Sequence, residues 1–234
     1  MQLERLLHAQ GFGSRKECRA LVREGRVTVQ GRICDDPFAE FEAAGLQFTV
    51  DGEHWVCRDK VYLALNKPAG YECSRNPLHH PSVFSLLPAP LIRRGVQPVG
   101  RLDEDTTGLL LFTDDGQFIH ALTSPKRGIA KIYEVTAKHP VSAALITALI
   151  AGVQLRDDPK PVAAAACVQT GEHTLRLTLT GGRYHQVKRM IAAAGNRVEA
   201  LHRVAVGGYT LPDWLPAKAW VWLEASEVMT SRSA

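Results

Sequence analysis

Apolar and polar positions change their rhythm along this chain. Leu3, Leu6 and Leu7 have the spacing of one helix face, and Gly11 and Gly13 break that helix. Ser14, Arg15, Lys16 and Glu17 form a capping box that opens a second helix. Its buried stripe is Cys18, Leu21 and Val22, and Gly25 closes it. Val27 and Val29 alternate with Thr28 and Gln30, which predicts a strand ending at Gly31. Residues 51–60 read as a linker with one further short strand. From Val61 the pattern is strand-rich. An apolar strand over 61–66 is broken by Lys67, Pro68, Ala69 and Gly70, and a buried strand over 109–113 ends in an Asp-Gly turn signal. Tyr133, Val135 and Ala137 alternate with Ile132, Glu134 and Thr136, as do Leu175, Leu177 and Leu179 with polar partners. Late strands are expected at 198–202 and 220–223. Helices are expected at 141–151 and at 184–194, the latter from Val187, Met190, Ile191 and Ala194 with Gly195 as its stop. The Pro-rich stretch 77–98 reads as loop. The sum is an α+β chain without internal repeats: a small N-terminal α/β module with its linker at 1–58, then a domain at 59–234 on a mixed, mainly antiparallel sheet with flanking helices.

Composition narrows this without changing it. The 234 residues are 45% hydrophobic and 22% charged, enough for a sizeable core and too apolar for a disordered chain. No run is long enough to span a membrane, and the start has no signal-peptide pattern. Cys18, Cys34, Cys57, Cys73 and Cys167 are scattered, with no C-x-x-C pair. They read as small buried hydrophobes in a reducing cytoplasm. Residues 1–34 hold seven Lys and Arg against three acids, which equals the whole chain's net charge of +4. Arg15, Arg19 and Arg23 recur every four residues and share a helix face with no acid interleaved in the row, beside Lys16. That asymmetry points to an anionic partner such as nucleic acid.

The acid-rich segment Gly100-Arg101-Leu102-Asp103-Glu104-Asp105-Thr106-Thr107-Gly108 precedes the buried strand at 109–113. Asp103 has Arg101 two residues before it and no Cys or His cluster nearby. A lone carboxylate on a rigid loop suits nucleophilic or acid–base chemistry rather than metal hydrolysis. An Asp in such a loop also serves commonly as a turn former or cap.

The string GRLDEDTTGLLLFTDDG resembles the catalytic motif of pseudouridine synthases, most closely the ribosomal small-subunit (RsuA-like) branch. Asn66 to Gly70 resembles the family's early strand-and-turn signature. Lys131-Ile132-Tyr133-Glu134-Val135 resembles its second motif, Gly182 to Met190 its third, and Leu201 to Gly207 its closing motif. The order helix, helix, strand from Leu3 to Arg32 resembles the S4 RNA-binding domain. The resemblance implies that Asp103 is catalytic, as a nucleophile at the sugar or as a base on it. It implies that Tyr133 lies against the target base and acts late as a proton acceptor, that Lys188 pairs with Asp103, and that Leu201 packs near the base. Arg101 then orients substrate or meets phosphate, Arg183 contacts substrate, and Arg15, Lys16, Arg19 and Arg23 meet RNA phosphates. His185 reads as structural or RNA-facing. Most of the superfamily carries Arg where Lys188 aligns, and Lys offers a point charge in place of a planar fork. The isomerisation involves no redox change, so no cofactor and no metal are expected. The expected partner is ribosomal RNA of the small subunit or the assembling particle, met by a monomer with no membrane. The rivals are the same chemistry on large-subunit RNA, a catalytically inactive RNA-binding assembly factor, and a hydrolase using His185 with Asp103.

Overall fold

The computed structural model describes residues 1–230. The chain divides into two compact units, residues 1–61 with 87–97, and residues 62–86 with 98 onward.

In the first unit, α1 (Leu3–Ala9) and α2 (Arg15–Arg23) are followed by β1 (Val27–Val29), β2 (Arg32–Ile33), β3 (Gln47–Val50) and β4 (Glu53–Val56). The capping box is formed: Ser14 Oγ accepts from the Glu17 amide at 3.3 Å, and Glu17 Oε2 accepts from the Ser14 amide at 2.6 Å. The strands form an antiparallel sheet in the order β2-β1-β3-β4. Leu3, Leu6, Leu7, Cys18, Val22 and Val27 are fully buried between helices and sheet. Residues 51–60 were expected as a linker with one further short strand; the strand is β4, and it is integral to this sheet. Asp51 and Gly52 both take positive φ (53° and 82°), the backbone of a tight hairpin turn, and fold β4 back onto β3. β4 lies at the sheet edge and is largely exposed, so its hydrophobic signature is faint. The expected loop at 77–98 carries a 3-10 turn (Val83–Leu86) and α3 (Ala89–Arg93), started by prolines. Residues 87–97 pack in the first unit, where a Cβ on Gly11 would lie 2.0 Å from the Pro90 carbonyl oxygen.

The second unit contains β5 (Tyr62–Lys67), β7 (Thr107–Thr113), α4 (Gly116–Thr123), β8 (Lys131–Ala137), α5 (Ala143–Ala151), β9 (Ala166–Gln169) and β10 (Thr174–Leu179). α6 (Gln186–Ala193), β11 (Val198–Val206), β12 (Tyr209–Thr210), β13 (Trp220–Trp222) and α7 (Ala225–Met229) complete it, and β6 (Gln97–Pro98) lies where the chain enters it. The main sheet runs β13-β5-β7-β11-β8-β10-β9, with β12 beside β11. Every neighbour along this path is antiparallel except β7 and β11, so the sheet is mixed and mainly antiparallel as expected. α5 and α6 cover β8 and β10 through Leu145, Leu149, Met190 and Ile191, all buried with Val135, Leu175 and Leu177. α4 and α7 cover the other half of the sheet through Phe118, Leu122 and Val228 against Leu109 and Leu111.

Four elements differ from the reading of the sequence for local reasons. The Asp-Gly pair after β7 is a helix start: Asp115 Oδ1 accepts from the Gln117 and Phe118 amides and caps α4. α6 begins at Gln186 rather than Tyr184, because His185 takes the left-handed region at φ 47°. β9 and α7 are short, and neither shows a clean period. Two of the five cysteines, Cys34 and Cys73, are only partly buried.

The parallel seam explains Gly108. Its partner in register is Arg203, its φ is +99°, and a Cβ there would lie 2.3 Å from the Arg203 carbonyl oxygen. Gly108→Ala is expected to destabilise the protein by about 2 kcal/mol or more. Urea unfolding checks this, and an unchanged midpoint would show that the seam relaxes freely.

Candidate active site

The loop before β7 carries Asp103, Glu104 and Asp105, and a buried ammonium holds it. Lys67, at the end of β5, is fully buried. Its Nζ donates to the carbonyl oxygens of Pro68 (3.0 Å), Asp103 (3.0 Å), Glu104 (3.1 Å) and Thr106 (2.8 Å). Burial pushes the Lys67 pKa down, against the opposing pull of Cys73 and the loop carboxylates. The carbonyls are turned inward to the ammonium, and the side chains of Asp103 and Asp105 are partly exposed, at 29% and 62%. Cys73 adds a second tether, its Sγ accepting from the Leu102 amide at 3.5 Å.

α6 supplies the opposing charge. Lys188 Nζ lies 3.2 Å from Asp103 Oδ2, as the pairing expected from the sequence requires, and 2.7 Å from Asp105 Oδ1. The ammonium is therefore shared, and it sits closer to Asp105. Burial works against the Lys188 charge, but its hydrogen bond to Asp105 and the charge of Asp103 outweigh it, and its pKa is raised. For Asp105 burial opposes ionisation, yet its bond with Lys188 keeps its pKa below the ordinary aspartate value. His185 completes the set. Its left-handed backbone stacks the imidazole on Tyr184, with ring centroids 3.8 Å apart, and places Nε2 3.2 Å from Asp103 Oδ1. Each Asp103 oxygen thus faces one nitrogen. The sequence offered Lys188 for this role, read His185 as structural or RNA-facing, and left Asp105 unassigned; the left-handed turn that brings His185 to Asp103 has no glycine to announce it.

The sheet provides the wall of the cavity. Tyr133 on β8 lies opposite Arg203 on β11, and Leu201 is two residues back on the same face. Asp103, Tyr133, Lys188, Leu201, Arg101 and Arg183 line one cavity of about 140 Å³. By the measure in which a water needs about 10–15 Å³, that is room for one planar ring. Leu201 is buried and belongs both to the core and to this wall. Arg101 is exposed at the rim. Arg183 points its Nε to Asp158 Oδ1 at 2.8 Å, so part of its donor set is already engaged. Arg203 and Gln186, both buried, also line the cavity and carry no sequence signal of their own.

The expected RNA-contacting row on α2 divides. Arg15, Lys16 and Arg23 are exposed. Arg19 forms an ion pair with Glu4 of α1, whose carboxylate is buried, and its guanidinium lies 5.4 Å from the Phe38 ring centroid. The row has no acid within α2, but the neighbouring helix supplies one.

Two outcomes follow from these contacts. Lys67→Met leaves four loop carbonyls without their donor and is expected to cost roughly 3 kcal/mol in urea unfolding. A midpoint equal to the parent's would mean that the loop holds itself. Glu72 accepts from the amides of Leu78, His79 and His80 at 3.1, 2.8 and 2.9 Å, and these bonds hold its carboxyl at about 2 against the ordinary 4.5. A depressed pKa contributes stability above the unfolded value and loses it as pH falls through the folded one. Protease resistance of residues 74–82 is therefore expected to hold above pH 4.5 and to fade toward pH 2. In Glu72→Gln it should be weak at every pH; resistance that persists there would point to another tether.

Comparison with known proteins gives the chain its family. Residues 61–193 match the family model described as RNA pseudouridylate synthase, and residues 1–37 match the S4 domain. The chain is 36% identical over 232 residues to ribosomal small subunit pseudouridine synthase A of Pasteurella multocida, covering 98% of this chain and 99% of that one. It is 39% identical over 220 residues to the protein of the same name from Escherichia coli K12, covering 90% and 91%. It is also 39% identical over 214 residues to an uncharacterized RNA pseudouridine synthase of Bacillus subtilis, covering 90% of each. A crystal structure of a pseudouridylate synthase superposes with a TM-score of 0.69 at 33% identity, over 97% of this chain and 98% of that one. The chain belongs to the RNA pseudouridylate synthase family and carries an S4 domain at its N-terminus.

Proposed function

We propose that this protein converts one uridine of small-subunit ribosomal RNA to pseudouridine in the Asp103 cavity. The observation that carries the reading is one carboxylate set between two nitrogens, Lys188 Nζ at 3.2 Å and His185 Nε2 at 3.2 Å, at the mouth of a ring-sized cavity walled by Tyr133 and Leu201. The substrate follows from the relatives named for the small subunit, which cover nine-tenths or more of the chain.

Asp103 acts as nucleophile at C1′ or as base at C2′, with the Lys188 ammonium 3.2 Å from its Oδ2. The target uridine leaves its stack at a cost of a few kcal/mol, and stacking on Tyr133 returns roughly 1–3 kcal/mol. The base then detaches, turns and bonds through C5, and Tyr133 takes the proton that C5 gives up. Leu201 limits how far the base moves while it turns. Arg101 and the free donors of Arg183 meet the adjacent backbone. No cofactor or metal is required. Residues 1–58 act as an RNA-holding module that raises the effective concentration of substrate at the cavity. The protein works as a monomer on ribosomal RNA or an assembling particle in the cytoplasm.

The direct test is a pseudouridine map by carbodiimide primer extension on unmodified small- and large-subunit RNA, free and in partly assembled particles. One new stop at a small-subunit uridine is expected, absent with Asp103→Asn, whose RNA affinity should stay near the parent's. A stop only in large-subunit RNA would move the substrate. RNA binding with no stop anywhere would leave an assembly factor.

The module has its own test. Arg15→Ala with Arg23→Ala is expected to flatten the salt dependence of RNA binding by roughly 0.7 per lost phosphate contact, with thermal stability unchanged. Arg19→Ala is expected to lower the melting temperature instead, because it strands the buried Glu4 carboxylate. An unchanged salt slope in the double variant would remove α2 from the RNA contact.

A further inference from the structure

The cavity holds one acid and many bases. Asp103 is its single carboxylate, and Arg101, Lys131, Arg183, Lys188 and Arg203 are its Lys and Arg residues. Three of these five are accounted for. Lys188 is paired with Asp103 and Asp105, Arg183 with Asp158, and Arg101 is exposed at the rim. Lys131 and Arg203 differ. Lys131 Nζ donates to the Ile129 carbonyl at 3.2 Å, and Arg203 Nε donates to the Leu109 carbonyl at 2.8 Å. Among the described residues neither is within ion-pair distance of a carboxylate. Arg203 is nevertheless only 3% exposed. A buried cation without a counter-ion is costly, and such groups concentrate where a reaction uses them.

The sheet register shows what these cations face. Arg203 is the direct cross-strand partner of Tyr133, and a bulge follows between Arg203 and Ala205. Bulges next to sites re-aim side chains. Lys131 and Tyr133 share a face of β8, as Leu201 and Arg203 share a face of β11, and all four line the cavity. A ring lying on Tyr133 and Leu201 therefore has Arg203 beside it. The positive charge of Arg203 also bears on Lys131, whose pKa is lowered first by burial and then by that neighbour.

We infer that Arg203 and Lys131 form an anion site for the uracil ring after it detaches from its sugar. The inference rests on the reading of this cavity as the site of uridine isomerisation. The chemistry requires an anion on either route. If Asp103 attacks C1′, a new C1′–O bond forms and the C1′–N1 pair leaves with the base. If Asp103 takes the C2′ proton, the C2′–H pair becomes a C1′–C2′ double bond, and the C1′–N1 pair again leaves with the base. In both cases the carboxylate's charge passes to uracil, where it spreads over N1, O2 and O4. Two fixed cations stabilise that anion more than they stabilise neutral uridine, which is the condition for accelerating the step. The depth of Arg203 favours a base over a phosphate, since the base is what enters and the backbone stays at the rim. Later, C5 bonds to C1′: on the first route the C1′–O pair returns to Asp103, on the second Asp103 gives its proton back to C2′, and on both the negative charge passes from the ring back to the carboxylate. The C5 proton then leaves and N1 gains one, so the ring ends neutral.

The test uses free bases on the full-length Asp103→Asn protein, whose neutral amide stands in for a carboxylate that has given up its charge. 5-Nitrouracil is anionic at about pH 7.5 because the nitro group withdraws electrons, whereas thymine of similar size is neutral. The anion is expected to bind roughly tenfold tighter, and Lys131→Met or Arg203→Gln in the same background should bring the two affinities together. In the Asp103-bearing protein, Lys131→Met is expected to lower the single-turnover rate by roughly 100-fold with RNA affinity and its salt slope unchanged. Equal affinity for the two bases without these substitutions would overturn the proposal. So would a Lys131→Met protein with its rate intact and its salt slope reduced, which would make this a phosphate site. Should Arg203→Gln fail to fold, Lys131→Met alone decides. Absence of pseudouridine formation by the parent protein on every RNA would defeat the functional reading, and the base comparison would still judge the anion site.

Discussion

The structure turns on one buried ammonium. Lys67 sits with no exposed surface, and four carbonyl oxygens stand in for its lost hydration. Three of the four belong to the Asp103–Thr106 loop, so the backbone of that loop is drawn inward around a single point of charge. A carboxylate partner would have satisfied the ammonium as well, but it would have turned an acidic side chain into the core. With carbonyls in that place, the three acids of the loop keep their side chains available and feel the ammonium only at longer range. Position and availability of Asp103 are thus set by the same contact.

The remaining charges follow a consistent division. Lys188 is held between two aspartates, and its shorter contact is with Asp105. Asp105 therefore anchors the ammonium, which leaves Asp103 with a neighbouring cation that is not wholly committed to it. A point charge suits that sharing better than a guanidinium, whose fork would lock onto one carboxylate. His185 brings a second nitrogen to the other Asp103 oxygen, at 3.2 Å. Its ring is fixed by stacking and by a backbone conformation that costs a non-glycine residue some strain.

Much of this was legible in the chain and some of it was not, for identifiable reasons. Elements with a clean period were readable: α1, α2 and its capping box, β5, β8, β10 and the apolar face of α6 all lie where Leu, Val and Tyr spacing places them. At the exposed sheet edge a short strand within 51–60 was readable but its bounds were not, and the cap was missed: Asp115 serves as a helix cap where an Asp-Gly pair suggests a turn. Asp103, Tyr133, Lys188 and Leu201 were found through family motifs, and the cavity brings them together. Lys67, Asp105, His185 and Arg203 matter through partners far along the chain, such as Arg203 with Leu109 and Lys67 with Thr106, and no local pattern encodes those pairings. The same limit applies to Arg19: a helix face read alone shows no acid, because Glu4 comes from the other helix.

The site lies where the main path of the sheet, among the described residues, changes direction. β7 and β11 run parallel while β5 beside β7 and β8 beside β11 run antiparallel, and the close approach at Gly108 and Arg203 lets the two strands meet there. The parallel pairing matters because it sets the start of β7, and hence the Asp103 loop, beside the middle of β11, where Leu201 and Arg203 point into the cavity. An antiparallel arrangement would have placed the far end of β7 there instead. β11 then pairs with β8 and brings Tyr133 into the same row, and the connection from β10 into α6 returns His185 and Lys188 over it. Acid, aromatic ring and buried cation thus come from three adjacent strands or the turns before them. Their relative spacing is governed by backbone hydrogen bonds rather than by side-chain packing, which is the stiffest framework a small enzyme can offer to a ring that has to turn within it.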